Sequence, residues 1–441
     1  MIDNELERRL SGLKRAARSL TRLTPDRKNR ILNLVADRLL KKKNEILQCN
    51  REDLARLDRQ ETGKDITAAF RDRLTLTSER IEHMAEAVRA VAKLPDPVGE
   101  VIETRTLANG LKTRRVRSPL GTILMIFESR PNVITEVFSL AFKSGNTIAL
   151  RGGSDSRATA GYIYQLIDFI LESELEAEPG TNLALPFIGI EDYDRALVGR
   201  LLQRKDLFDV CIPRGGSALI DRVMSESKMP VIKNDKGICH LYAHEKADLD
   251  MVVNIGINAK TQRPGVCNSI ETLLVDRSIA RVLLRKFVPA LFAKGVEFYV
   301  CPESFKILTE IAKLDLQESR WILAVHPAQD TDFTKEYLDL KLNIKIVEAF
   351  ELAVYHIARF GSDHSETIVT SDEPVARRFQ LEVDSACVYW NASTRFTDGF
   401  ELGLGGEIGI STQKLHVRGP VGLRELTSAR WLIDGTGQVR A

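Results

Sequence analysis

The chain has 441 residues, a formal net charge of +2, 44% apolar and 28% charged residues. That length exceeds what one hydrophobic core usually serves, so two domains are expected. The near-neutral charge argues against wholesale wrapping of nucleic acid, and no apolar run is long enough to span a bilayer. Six scattered cysteines without a CxxC pair fit neither a metal site nor a secreted disulfide scaffold. With an acidic, polar start at Met1-Ile2-Asp3-Asn4-Glu5, they point to reduced thiols in a cytoplasmic protein.

The first ninety or so residues read as helices. Thr24-Pro25-Asp26 is a start signal, a capping hydroxyl followed by a proline whose missing N–H costs nothing there. Ile31, Leu34, Val35, Leu39 and Leu40 then share one face. The basic pairs and triplet of this region alternate with apolar residues at helical spacing and read as a solvated helix face. The pattern changes at Leu94-Pro95-Asp96-Pro97. Residues 98–117 alternate around Asn109-Gly110, which suits a primed turn and predicts a β-hairpin. Its arms carry little apolar surface, so the ribbon is expected to lean on another surface.

From Gly121 onward strands and helices alternate. Strands are expected at 122–127, 147–150, 183–188 and 207–212, with helices at 132–143, 157–171 and after Asp192. This rhythm implies a parallel sheet with helices on both faces, the setting of nucleotide-binding crevices. A second alternating series runs from Gly237 to about Asn391, with the domain boundary in the 230s. Glu425 to Asp434 reads as an edge strand without an obvious partner.

Several segments carry chemistry. In Gln262-Arg263-Pro264-Gly265-Val266-Cys267-Asn268, one cysteine precedes the apolar run Ile270 to Val275 and is surrounded by amides and basic groups. A thiol is a strong nucleophile only as thiolate, which cations and backbone N–H groups favour. Lys260 and Arg263 are candidates for that field. The bland alternative is a buried, inert cysteine opening a strand. The flanking Asn-Ala-Lys-Thr-Gln-Arg-Pro-Gly is too polar for a plain strand entry, which favours the nucleophile.

Glu128-Ser129-Arg130-Pro131-Asn132 joins a buried strand to a helix, either as a ligand site at a strand's C-terminal end or as a simple helix start. Arg151-Gly152-Gly153 and Arg214-Gly215-Gly216 both follow strands of the same sheet. Paired glycines let backbone N–H groups approach a phosphate at the next helix N-terminus. Together they support a phosphate-bearing dinucleotide, although neither fits GxGxxG. Gly403 to Gly409 follows no buried strand and reads as a flexible wall near the site, with Ser411-Thr412-Gln413-Lys414 offering polar contacts. His240, His364 and His416 are isolated and read as structural; no HExxH or GxSxG is present.

These motifs resemble the γ-glutamyl phosphate reductases, or glutamate-5-semialdehyde dehydrogenases, within the aldehyde dehydrogenase superfamily. The resemblance rests on Ser118-Pro-Leu-Gly, Glu-Ser-Arg-Pro-Asn, Ser144-Gly-Asn, the two Arg-Gly-Gly segments and Asn258 through Asn268. Val383-Asp-Ser-Ala, Asn391-Ala-Ser-Thr-Arg-Phe-Thr-Asp-Gly-Phe and Gly409-Ile-Ser-Thr-Gln-Lys extend it over nearly the whole chain.

It implies an α/β, aldehyde dehydrogenase-like fold of two domains with parallel-sheet cores. The cofactor-binding domain would comprise 1–99 and 119–234, and the catalytic domain 235–412. An oligomerisation arm of hairpin and C-terminal strand (100–118 and 413–441) would reach a partner subunit, making at least a homodimer. The implied reaction is NADPH-dependent reduction of L-glutamyl 5-phosphate to glutamate 5-semialdehyde and phosphate, in proline biosynthesis, through a thioester on Cys267.

The same resemblance makes Asn132 and the Cys267 N–H the oxyanion donors, with Arg130 as an alternative to Asn132. Arg130, Lys260 and Arg263 would hold phosphate or the substrate carboxylate, and Glu336 the cofactor ribose. Arg151 or Arg214 would meet the 2′-phosphate that distinguishes NADPH from NADH. The stretch Val231 to Gly237 lacks the glutamate with which aldehyde-oxidising relatives activate water, which favours phosphate chemistry. An NAD(P)-dependent dehydrogenase oxidising another aldehyde, and a catalytically silent partner of glutamate kinase, are the competing expectations. Association of an active enzyme with that kinase is left open.

Overall fold

The computed structural model describes residues 3–59, 68–128, 130–175, 184–234, 236–314 and 319–440. They fall into two compact units, one of Met1–Asn234, Gly403–Gly409 and Pro420–Ala441, the other of Asp235–Leu402 and Ile410–Gly419.

The first unit opens with helices α1 (Asn4–Leu20), α2 (Pro25–Lys41), α3 (Lys43–Arg59), α4 (Ala68–Leu74) and α5 (Ser78–Lys93). At the start of α2 the Thr24 hydroxyl accepts from Arg27 N–H at 3.3 Å with Pro25 in the first turn, the cap anticipated from the sequence. Of the predicted stripe, Ile31, Val35 and Leu39 are buried.

The hairpin forms from β1 (Val101–Thr106) and β2 (Lys112–Pro119), antiparallel with Thr106 opposite Lys112. Its turn differs from the expected primed type. A five-residue loop is closed by Leu107 N–H to Leu111 O at 2.8 Å, and only Gly110 adopts a left-handed φ, +84°. A type I′ turn needs both central residues there. The terminal strand also departs from expectation. Thr427–Asp434 is paired along its length with β2, from Thr427 opposite Pro119 to Asp434 opposite Lys112. Its partner lies some three hundred positions upstream, which no local pattern reveals. The base of this three-stranded ribbon is tied to the first unit by Asn146, whose Nδ2 donates to Leu426 O at 2.9 Å and whose Oδ1 accepts from Gly121 N–H at 2.8 Å.

The central sheet of this unit has β3 (Thr122–Phe127), β4 (Thr147–Arg151), β5 (Phe187–Gly189) and β6 (Val210–Arg214) in the order β5-β4-β3-β6, all parallel. Every residue of β3 and β4 is buried, as for strands covered on both faces. Crossover helices are α6 (Val133–Lys143), α7 (Arg157–Leu175) and α8 (Arg195–Leu202), and α9 (Ser217–Glu226) follows β6. Strands β5 and β6 begin later than anticipated, and Leu183, the first residue of the strand predicted at 183–188, lies outside the described ones.

The second unit holds β7 (Cys239–Ala243), α10 (Leu249–Thr261), β8 (Ile270–Asp276), α11 (Ala280–Phe292), β9 (Glu297–Val300) and α12 (Pro302–Leu314). Then come β10 (Val325–Pro327), β11 (Lys341–Val347), α13 (Phe350–Phe360), β12 (Ser365–Val369), α14 (Glu373–Glu382) and β13 (Cys387–Trp390). Its seven strands run parallel in the order β10-β9-β11-β8-β7-β12-β13. Leu241, Leu273, Phe287, Leu291 and Ile344 are among the fully buried side chains of its core.

Candidate active site

Cys267 lies on the short connection between α10 and the central strand β8, half-buried and without a disulfide. The loop is held at many points. Ser269 Oγ donates to Ala259 O at 3.0 Å, and Ser269 N–H to Val266 O at 3.1 Å. The Cys239 thiol, from β7, donates to the carbonyl of Cys267 at 3.2 Å. Gly237 is packed so closely on that carbonyl that an added Cβ would lie 1.6 Å from the oxygen. On the other side, Asn268 donates to Thr397 O at 2.9 Å, and its own carbonyl accepts from the Thr394 hydroxyl at 2.7 Å. A half-buried thiol on so fixed a loop is placed for chemistry in a way the other inner cysteines are not. Cys211 and Cys239 are buried, and burial pushes both thiols up, away from the thiolate.

The basic residues expected around Cys267 divide. Arg263 is exposed on the same loop. Lys260 is engaged elsewhere than expected. It faces inward from α10, fully buried, with its Nζ 2.7 Å from Glu271 Oε2, also fully buried. Burial pulls Lys260 down and pushes the Glu271 carboxyl up to about 7, each partner opposing the shift of the other. Glu271 Oε1 also accepts from Leu338 N–H at 3.4 Å, so the pair ties α10 and β8 to the 336–339 segment.

Glu336 belongs to the second unit. Its carboxylate accepts the Gly237 N–H at 2.8 Å, so in this structure it supports the glycine that abuts Cys267. Asp235, in the stretch lacking a catalytic glutamate, lies outside the described residues.

In the first unit the expected cofactor residues lie at the C-terminal ends of β4 and β6, and Arg130 and Asn132 follow that of β3, where parallel sheets bind ligands. Gly152 lies where a Cβ would meet the Phe127 ring at 2.9 Å, and Gly153 precedes the single 3-10 turn that leads into α7. A Cβ at Gly215 would meet the Glu128 carboxyl carbon at 2.7 Å, and Gly216 N–H donates to Glu128 Oε2 at 2.9 Å. The N-terminus of α9 therefore already holds an anionic group, the chain's own carboxylate. Backbone donors that hold a carboxylate at a helix start in this way also suit a phosphate.

The two arginines of these loops are engaged elsewhere than expected. Arg151 is 8% exposed, its Nη2 donating to Tyr193 O at 2.8 Å, and burial lowers its basicity. Arg214 reaches Ile408 O at 2.8 Å and Glu136 Oε2 at 3.3 Å. It thereby fastens the Gly403–Gly409 segment beside the second glycine loop, so that wall is pinned rather than loose. Asn132 is exposed at the start of α6 and makes no side-chain cap bond, leaving its amide outside the helix. Arg130 is half-buried on the turn before it, and its carbonyl accepts Val133 N–H at 3.1 Å.

Two histidines expected to be isolated prove to be networked. His240 Nδ1 lies 2.9 Å from Glu366 Oε2, and His364 Nδ1 lies 2.9 Å from Ser365 Oγ and 3.7 Å from Cys239 Sγ. Sequence reasoning also passed over Cys239, Glu128, Asn268 and Arg395. Arg395 carried a signal, since it sits in the Asn-Ala-Ser-Thr-Arg-Phe segment, but spacing alone gives that segment no target. Among the described residues no cluster of His, Cys, Asp or Glu gathers as a metal site, and no helix is long and apolar enough to cross a membrane.

Comparison with known proteins places these observations in a family. The model of the aldehyde dehydrogenase family matches residues 13–296. A gamma-glutamyl phosphate reductase from Carboxydothermus hydrogenoformans is 45% identical over 427 residues, covering 97% of each chain. The crystal structure of gamma-glutamyl phosphate reductase from Thermotoga maritima superposes with a TM-score of 0.90 at 40% identity, covering 99% of this chain and 100% of that one. An acetylating aldehyde dehydrogenase from Geobacillus thermoglucosidasius shares the fold, with a TM-score of 0.67 at 17% identity over 99% of this chain and 98% of the other.

Proposed function

The chain belongs to the gamma-glutamyl phosphate reductases, oxidoreductases of the aldehyde dehydrogenase family that serve proline biosynthesis. On that premise we propose that it reduces L-glutamyl 5-phosphate to glutamate 5-semialdehyde with NADPH, through a thioester on Cys267. The observation that carries this reading is the seating of Cys267, a half-buried thiol on a loop clamped from β7 on one side and from the 394–397 segment on the other.

The chemistry follows from what these groups can do. The Cys267 thiolate attacks the acyl carbon, and phosphate departs from the tetrahedral adduct with the electron pair of its C–O bond. Sulfur suits the task because it is nucleophilic near neutral pH and leaves again readily. Asn132, its amide unclaimed by the helix cap, is read as a donor to the developing oxyanion; loss of such a donor typically slows catalysis on the order of a hundredfold. Arg263 and Arg130 are the cations for phosphate and substrate carboxylate. NADPH, when bound, supplies the hydride that converts the thioester to a thiohemiacetal. Gly152, Gly153, Gly215 and Gly216 would hold its phosphates through backbone N–H groups. Arg151, Arg214 and Glu336 are carried as cofactor residues of the family pattern, with the engagements described above as competing demands on them.

The three-stranded ribbon supports self-association. Ile102, Trp431 and Ile433 are 45%, 50% and 61% exposed on it, apolar surface that a second copy would cover. A homo-oligomer in the cytoplasm is the corresponding reading.

The test is the oxidative direction, with glutamate 5-semialdehyde and NADP+ as substrates. Cofactor reduction that depends strictly on inorganic phosphate, and that Cys267→Ala abolishes in a folded protein, is the expected result. Phosphate-independent turnover would replace the reading with aldehyde oxidation to a free acid.

A further inference from the structure

We propose that Arg395 is a phosphate-binding residue of the Cys267 site and at the same time fixes the loop that carries the thiol. The inference rests on the thioester reading above and adds the residue that receives the leaving group.

Arg395 lies in the single 3-10 turn Thr394–Phe396, whose first residue is capped by the Ser393 hydroxyl accepting from Arg395 N–H at 3.2 Å. Its guanidinium joins the two ends of the cysteine loop. Nε donates to Gln262 Oε1 at 3.0 Å, at the exit of α10, and Nη1 donates to Asn268 Oδ1, next to Cys267. Two nitrogens of the fork thus hold the loop closed around residues 263–267. Nη2 makes no hydrogen bond to a described residue. A planar guanidinium fixed by two bonds presents its remaining donors in a set direction, the geometry suited to a phosphate oxygen.

The surroundings are those of an anion site. Burial pulls Arg395 down, and the like charge of Arg263, exposed on the stapled loop, acts in the same direction. Two cations on one short stretch of structure around the thiol favour an anion there. Asp398 and Glu401 act the other way, but Asp398 Oδ1 already accepts from Phe400 N–H at 2.9 Å and Glu401 N–H at 3.3 Å within its own turn. Lys260, the other cation expected here, is consumed by Glu271. Once sulfur has bonded to the acyl carbon, the bond from that carbon to the bridging phosphate oxygen breaks, and the departing phosphate keeps the electron pair. A guanidinium fixed to Asn268, the residue next to Cys267, would stabilise that charge where it develops.

The experiment uses alkylation of Cys267 by iodoacetamide in the cofactor-free protein, followed by peptide mass spectrometry, with inorganic phosphate as protectant and potassium chloride as the ionic-strength control. In the unaltered chain phosphate is expected to slow labelling. Arg395→Gln should raise the phosphate concentration for half-protection by roughly ten- to a hundredfold, the loss of a charge-assisted hydrogen bond. Arg395→Lys, which keeps the charge and loses the fork, should fall between. The KM for phosphate in the oxidative assay should move in the same order. Gln262→Ala, which removes one staple and leaves the guanidinium, should change the labelling rate but not the half-protection. Equal protection of Arg395→Gln and the unaltered chain, or no protection of either, overturns the inference. Turnover surviving in Cys267→Ala would instead remove the thioester reading beneath it. Should Arg395→Gln not fold, Arg395→Lys decides by the same measurement, with unchanged half-protection counting against the assignment.

Discussion

Gly237 and Cys267 touch through backbone: a Cβ on the glycine would sit 1.6 Å from the cysteine's carbonyl oxygen. Nothing but hydrogen fits there, and the same glycine's N–H is held by Glu336 at 2.8 Å. Gly237→Ala is therefore expected to force the loop away from β7, at a cost of about 1–3 kcal/mol in stability. Thermal unfolding together with the rate of Cys267 alkylation checks this. A variant with unaltered melting and unaltered labelling would show that the loop is not set by this contact.

Cysteine reactivity should follow burial. At pH 7, iodoacetamide is expected to modify Cys267 in the native protein while sparing Cys211 and Cys239, which are buried and whose thiols burial keeps protonated. Peptide mass spectrometry over a time course reads the order directly. Cys239→Ala, which deletes the donor to Cys267 O, should cost about 1 kcal/mol, and Cys239→Ser, which keeps a donor, should cost less.

The Lys260–Glu271 pair gives a test that separates structure from chemistry. Lys260→Met leaves a buried carboxylate without its cation and should destabilise by about 3–5 kcal/mol. Adding Glu271→Gln removes the charge while keeping an acceptor for Leu338 N–H, and should recover most of that loss. The double variant is expected to retain its KM for phosphate. A stable double variant with a strongly raised KM would return Lys260 to the substrate.

Acid lability should trace in part to His356. Both its ring nitrogens are buried without a hydrogen bond among the described residues, between Phe333 and Phe360 with ring centroids 5.1 and 4.6 Å away. Burial holds it neutral, pulling it down to about 2 from an ordinary value of 6.5. The unfolded chain therefore binds a proton that the folded chain refuses between those values, and stability falls as pH drops below about 6.5. At pH 5 this one group accounts for about 2 kcal/mol. His356→Leu should melt higher than the unaltered protein at pH 5, with the difference shrinking towards pH 7. A difference that stays constant across that range would place the acid lability elsewhere.

Much of the architecture is written in local pattern. Alternating apolar runs such as Thr122 to Phe127, Thr147 to Arg151 and Ile270 to Asp276 announce buried parallel strands because both faces of each are covered, and the helices between them carry one apolar stripe. Thr24-Pro25 announces its helix because a cap is a contact between neighbours in sequence. Where contacts join distant segments, the pattern is silent. The terminal strand's partner and the Gly403–Gly409 segment fastened by Arg214 both depend on such contacts.

The site divides along the same line. Asn132 is singled out through the family resemblance, whereas Cys267 and the two Arg-Gly-Gly loops could be singled out from local pattern, because a polar, glycine-bearing break beside a strand is a local signature of a ligand-facing turn. Which charges are spoken for could not. Lys260 and Arg395 look alike on paper, each a cation in a polar motif. Yet folding buries one against Glu271 and stretches the other across Gln262 and Asn268. A side chain's type fixes what it is able to do. Only the packing of residues far apart in the chain fixes which partner satisfies it and which donors it has left.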